Sequence, residues 1–179
     1  MVAMSVATLG SMHAVQINHL RHHRYCMEPE DVEAASARMS WWHAIMIGPV
    51  FPLRLVFKAA MIGNRRIRDW IALELAANIV WIALVFGAFD CGFLKYHIVA
   101  MAIGQCLTSF FAVWTVHHDA EGSLAMSRTV RRKFFARVTY NMFFHMEHHL
   151  FPAVPTCHLA TLAARIDAAG ASIQWRQVL

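Results

Sequence analysis

Two apolar stretches of bilayer length, separated by six residues, constrain this chain more than anything else in it. Residues 70–89 and 96–116 each run to about 20 residues, the length an α-helix needs to cross a hydrocarbon core of about 30 Å. The link between them, Asp90-Cys91-Gly92-Phe93-Leu94-Lys95, is too short for anything but an antiparallel helical hairpin. The two outer ends of such a hairpin lie on one side of the membrane. Arg65, Arg66 and Arg68 precede it, and Arg128, Arg131, Arg132, Lys133 and Arg137 follow it, whereas the link carries Lys95 alone. Basic residues gather on cytoplasmic flanks, so both outer ends are expected to be cytoplasmic. Inside the spans stand Glu74, Asn78 and Gln105, for which hydrogen bonding between helices is the expected role.

The rest of the chain agrees with a membrane setting. It is 58% hydrophobic and 15% charged, against about 25% charged for a soluble domain. The net charge of +5 sits beside apolar segments rather than in a tail, which fits cytoplasmic membrane flanks better than a nucleic-acid surface, and no nucleic-acid partner is expected. Residues 1–12 form an apolar stub, about 18 Å long as a helix and too short to span, with no basic lead or cleavage site of a secretory leader. Residues 13–39 hold a histidine cluster and an acidic stretch around Pro29 that reads as a solvated loop. Residues 40–69, with Trp41, Trp42, Pro49, Pro52, Arg54 and Lys58, read as a kinked interfacial helix followed by the basic flank. The hairpin takes residues 70–116. Residues 117–179 are expected on the cytoplasmic side and end in an amphipathic helix with Leu159, Leu162, Ala163 and Ile166 at helical spacing. The expected fold is therefore an all-α integral membrane protein with one domain over residues 1–179. The four cysteines form no CxxC pair and read as free thiols.

Twelve histidines are the anomaly. The pattern HxxHH occurs twice, as His19-Leu-Arg-His22-His23 and as His145-Met-Glu-His148-His149. At this histidine content about 0.05 copies are expected by chance, so two point to a shared purpose. Positions i, i+3 and i+4 share one face of a helix, so each motif aims three imidazoles into one small volume. One cluster precedes the hairpin and the other follows it, so both lie on the same side and are free to converge. His117 and His118, at the end of the second span, stand ready to add one more. So many imidazoles exceed the needs of one ion and suggest two. Imidazole suits iron, zinc, copper and nickel alike. A structural zinc site normally uses cysteine, and a membrane-surface metal pair suggests oxygen chemistry on a hydrocarbon chain. A haem carrier would instead place single histidines on facing spans.

The sequence resembles the membrane fatty acid desaturases and their hydroxylase and ketolase relatives. The match rests on Asn18-His19-Leu-Arg-His22-His23-Arg24-Tyr25 with the acidic residues 28–31 behind it. It rests equally on Tyr140-Asn141-Met-Phe-Phe-His145-Met-Glu147-His148-His149-Leu150-Phe151-Pro152-Ala-Val154-Pro155. The resemblance implies two non-haem iron ions with O2 as co-substrate. It implies as metal ligands His19, His22, His23, His145, His148 and His149, with His118 as the additional ligand and His117 as its fallback. It further implies a fatty acyl or membrane-lipid substrate and a separate electron donor of ferredoxin or cytochrome b5 type. The alternative products are those of a hydroxylase or ketolase acting on a carotenoid or alkane. The family's upstream HxxxH box has no counterpart, because only His13 precedes His19 and position 17 is Ile. The expectation is of an N-terminally truncated chain, and a non-catalytic remnant is the third alternative. His43, His97 and His158 are expected to play interfacial, remote and helix-capping parts.

Overall fold

The computed structural model describes residues 1–123, 125–170 and 175–178. Among these the regular structure is helical, apart from one isolated bridge between Thr129 and Gln177. A short helix, α1 (Val2–Thr8), ends where Leu9 takes a left-handed conformation (φ 54°). Ser11 then caps α2 (Met12–Tyr25), its hydroxyl accepting from the Ala14 amide. A 3-10 turn (Ala34–Arg38) leads to α3 (Trp41–Met46) and α4 (Phe51–Ile62). The kinked helix expected over residues 40–62 is thus two helices. Pro49 and Pro52 lack amide hydrogens and favour a fresh helix start over a continued one. Gly48 in the break lies so close to the backbone around Cys106 that a Cβ there would stand 1.8 Å from the Cys106 carbonyl oxygen.

The hairpin is α5 (Arg65–Gly87) and α6 (Gly92–Thr108), the latter continuing through a π-helical turn (Ser109–Trp114) into α7 (Thr115–His117). Both arms are long and apolar enough to cross a membrane: 23 residues at mean hydropathy 1.9, and 26 at 1.6. Only 22% and 17% of their apolar windows are buried. A core helix of a soluble protein would be mostly covered, so the exposed Leu73, Ile79, Phe86, Val99 and Ile103 are surfaces suited to lipid.

Four polar residues of the hairpin, Glu74, Asn78, His97 and Gln105, turn to the break between α1 and α2. Asn78 donates to the Gly10 carbonyl (2.9 Å), Gln105 to the Thr8 carbonyl (2.8 Å), and His97 bonds the Ala7 carbonyl (2.9 Å). Glu74, fully buried, accepts from the Ser11 hydroxyl (2.6 Å), the His13 amide (3.2 Å) and His13 Nδ1 (2.8 Å). A helix that stops beside a span leaves carbonyls with no water to bond, and backbone of that kind is tolerated only where protein groups satisfy it. The expected bonding role of Glu74, Asn78 and Gln105 therefore holds, with this broken backbone as their partner.

Three apolar clusters position the histidine helices. Ala14, Ala59 and Ile71 pack α2, α4 and α5 together, and buried Asn18 pins α2 to α4 through the Leu55 carbonyl (2.8 Å). Met27, Ala34, Ala37, Phe51 and Val113 seat the 3-10 turn against the π-helical turn. The third cluster joins Val116 and Val130 to α8 (Lys133–Val138), to α10 (Leu159–Ala168) and to Phe143 and Phe144, which lead into α9 (His145–Leu150). Leu159 and Ala163 are the buried face of α10, as its sequence spacing suggests.

Candidate metal centre

The helices α2 and α9 bring their i, i+3, i+4 histidines face to face. Seven imidazoles meet there in two groups. In the first, the Nε2 atoms of His19, His23 and His148 form a triangle: 3.1 Å between His19 and His148, 3.1 Å between His19 and His23, and 2.9 Å between His23 and His148. In the second, contacts run from His22 to His149 (3.2 Å), His149 to His145 (3.1 Å) and His145 to His117 (2.9 Å), again through Nε2.

The outer ring nitrogens decide what the inner ones offer. His22 Nδ1 donates to Asp31 Oδ2 (2.7 Å), His19 Nδ1 to Glu33 Oε1 (3.0 Å), and His117 Nδ1 to the Met126 carbonyl (2.8 Å). These acceptors fix the proton on Nδ1 and leave a lone pair on each Nε2. Burial opposes the ionised form of Asp31, but the bond from His22 and the Ala34 and Met27 amides hold its carboxyl below the usual range. Extra protons are not welcome further in. Burial, with His19 and His148 beside it, pushes His23 down to about 4. Burial and the neighbouring His117 and His149 push His145 well below its ordinary value. Burial also lowers His148 and His149. His19 differs, because its hydrogen bond to Glu33 raises it against the pull of burial.

Counting hydrogens tests whether the groups fit a metal. Neutral His23 and His148 can supply at most two hydrogens to the three contacts of the triangle. Neutral His145 and His149 can supply at most two to the three contacts of the other group. Each group therefore keeps at least one contact that no hydrogen bond satisfies, lone pair against lone pair or N–H against N–H, and a cation that draws in a lone pair from every Nε2 would relieve it. The spacing agrees: an ion that holds imidazole nitrogen at about 2.0–2.1 Å separates two nitrogens at right angles by about 3 Å. The all-imidazole donor set fits a divalent first-row metal. Cys26 lies beside His22, His117 and His149, but burial together with Asp31 and Glu33 pushes its thiol up to about 12, which keeps its proton on.

Six of the seven residues expected to be ligands, all but His118, converge in this way. The structure brings His117 into the cluster instead, 1% exposed. The His118 ring stacks on Trp114 (4.4 Å between centroids) and bonds the Ala37 carbonyl (2.9 Å), facing away. His13 belongs to the Glu74 network, His43 is exposed beside Trp42, and His158 is exposed at the start of α10.

Several supporting groups escaped the sequence reading. The acidic stretch at residues 28–33 is not simply solvated, because Asp31 is buried and bonded to His22 and Glu33 reaches His19. Its position soon after the first cluster was the available signal. Glu147, inside the second motif, is fully buried and points away from the metal side. It accepts from Thr129 Oγ1 (2.6 Å) and from Arg131 (2.7 Å), and Arg131 also clamps Asp167 at 2.9 and 3.0 Å. The stretch around Arg128 ties the remaining parts: its amide bonds the Val116 carbonyl, and its carbonyl accepts from the Met146 amide.

The family model described as fatty acid desaturase matches residues 1–177. No curated protein and no solved structure matches the chain. The match covers nearly all of the sequence, and the chain belongs to the fatty acid desaturase family, a membrane-associated and metal-dependent family of oxidoreductases.

Proposed function

We propose that this member of the fatty acid desaturase family removes two hydrogens from adjacent carbons of a fatty acyl chain, with O2 as oxidant, at a pair of iron ions. The observation that carries the reading is the pair of Nε2 clusters, each with more contacts than hydrogens. His19, His23 and His148 would hold one ion; His22, His117, His145 and His149 would hold the other. Bound iron supplies the redox chemistry needed to attack an unactivated carbon, which no side chain here offers. Asp31, Glu33 and the Met126 carbonyl keep three rings turned with their lone pairs inward. Two electrons per turnover come from a separate donor of ferredoxin or cytochrome b5 type.

The acyl chain has a suitable place. An apolar cavity of about 430 Å³ lies between α2, α4 and α6, with Met12, Val15, Phe51, Leu55 and Met101 in its wall. Glu33, the partner of His19, also lines it, so the cavity leads from the spans towards the first histidine group. Its lining excludes water from a substrate that has no polar group to orient. The flanking arginines support a cytoplasmic position for both histidine helices.

The test is product analysis with the purified chain in lipid, supplied with iron, O2, acyl lipid and a reduced ferredoxin or cytochrome b5. Mass spectrometry of the released acyl chains should show the loss of two mass units and a new double bond. An added oxygen atom would instead mark a hydroxylase or ketolase. Unchanged acyl chains from protein carrying two irons and oxidising its donor would sink the proposal.

A further inference from the structure

The centre is approached by cavities of different character. The apolar chamber ends on Glu33, behind His19. An apolar groove lined by Met12, Val15 and Leu20 reaches His19 alone. A polar cavity beside Arg38 and Arg176 touches His118, which faces away from the cluster. A further cavity of about 280 Å³ opens between the end of α2 and the end of α9, and it alone among these four meets both histidine groups. Its inner wall is His23 from one group and His149 from the other, with ring centroids 4.7 Å apart. Its outer wall carries Arg24 and Glu28, both exposed, with Leu150 half-buried beside them. Its exposed lining is more polar than apolar, the reverse of the chamber assigned to the acyl chain.

We infer that this cavity is the aqueous port of the centre, which brings protons in and lets water out at the seam between His23 and His149. The inference rests on the proposed desaturation, whose balance requires such a route. O2 takes two hydrogen atoms from adjacent carbons, two electrons from the donor and two protons from solvent, and leaves as two molecules of water. The two carbons are oxidised to an alkene and O2 is reduced. The apolar chamber cannot carry protons without flooding the substrate site. The charged Arg24 and Glu28 keep the mouth of the seam cavity hydrated, and the cavity ends where the two groups meet. Bulky reactants and water thus use opposite doors.

Azide probes the port, because a small hydrated anion follows water rather than lipid. Its binding to the iron-loaded full chain is followed by stopped-flow absorbance. Glu28→Trp, on the exposed rim, and Leu150→Trp should each slow azide binding by roughly an order of magnitude while iron content and final amplitude stay unchanged. Leu20→Trp, in the apolar groove beside His19, should leave the rate as it is. Should Leu150→Trp fold poorly, the rim variant alone decides. Wild-type rates in Glu28→Trp, or slowing in Leu20→Trp alone, would overturn the port. A chain that takes up no iron would defeat the desaturase proposal but not this one. The port is then read from Ala125, which also lines the cavity. A charged, membrane-impermeant thiosulfonate should modify the thiol that Ala125→Cys places there, located by mass spectrometry, and adding Glu28→Trp should protect it. Absence of modification, or of protection, would overturn the inference.

Discussion

The two histidine groups are drawn from the same two motifs, yet one is closed and the other open. The group of four is deep: His22 and His117 are each 1% exposed, and the Asp31 side chain behind His22 is equally buried. The group of three lies nearer the surface, with the His19 side chain 34% exposed and the Glu33 side chain 20%. The difference comes from His117. A span of the hairpin delivers a fourth imidazole to one group, and no described residue does so for the other. Two identical motifs on short helices therefore make unlike sites, because what closes a site is the scaffold that reaches it from outside the motif.

Removing the closing residue should erase the contrast. His117→Ala is expected to cost the protein one of two bound metal ions and all turnover, whereas His118→Ala keeps both ions; metal analysis by mass spectrometry distinguishes them. Equal losses in the two variants would break the assignment of His117.

The orienting carboxylates should show a graded version of the same contrast. Partners that orient a ligating histidine typically contribute 10–100-fold in metal affinity. Asp31→Asn should approach about 100-fold at the deep group, and Glu33→Gln about 10-fold at the open one, where the carboxylate is less deeply buried behind its ring. Competition with a coloured chelator measures both affinities. A larger loss from Glu33→Gln would reverse the order of the two groups.

Arg131→Ala provides the symmetric case. It strands the buried Glu147 carboxylate on α9, the helix that serves both groups, at a cost of about 3–5 kcal/mol in stability. Denaturant unfolding in micelles should show this loss, and both metal affinities should fall together. A fall at one group alone would mean that α9 does not move as a unit.

Acid should produce the mildest separation. Glu33 raises His19, so its proton returns first as pH falls through neutrality. His23 is held down at about 4 and His145 well below its ordinary value, so they remain free for metal to lower pH. Metal should therefore leave the open group before the deep one as pH drops from 7.5 towards 5. In metal-free protein the depressed His23 acts on stability with the opposite sign to His19. The unfolded chain binds its proton from about 6.5 downward and the folded chain only near 4, so this contribution is lost as pH falls between those values. Simultaneous release of both ions in a pH titration would count against the difference between the groups.

Much of this was legible in the sequence. Helical periodicity alone placed His19, His22 and His23 on one face, and did the same for His145, His148 and His149. Hairpin length and arginine placement set both clusters on one side. The choice between His117 and His118 was not legible. Adjacent helical residues point about 100° apart, and the π-helical turn at Ser109–Trp114 shifts the phase of everything after it. No count along an ideal α-helix crosses that turn correctly. The carboxylates were hidden for another reason: Asp31 is buried because the left-handed Met27 (φ 65°) folds the loop back onto α2, and such a reversal carries no hydrophobic period.

The break between α1 and α2 has a consequence for the order of assembly during synthesis. The carbonyls of Ala7, Thr8 and Gly10 find their partners 90, 97 and 68 residues later in the chain. At about 5–20 residues per second, the ribosome needs roughly 3–20 seconds to supply them. Over that interval residues 7–10 cannot settle at membrane depth, since their backbone would be bare of partners in lipid. Helix α1 is thus made before the hairpin but seated only with it, and α2, with its three histidines, waits on the hairpin before it can meet α9.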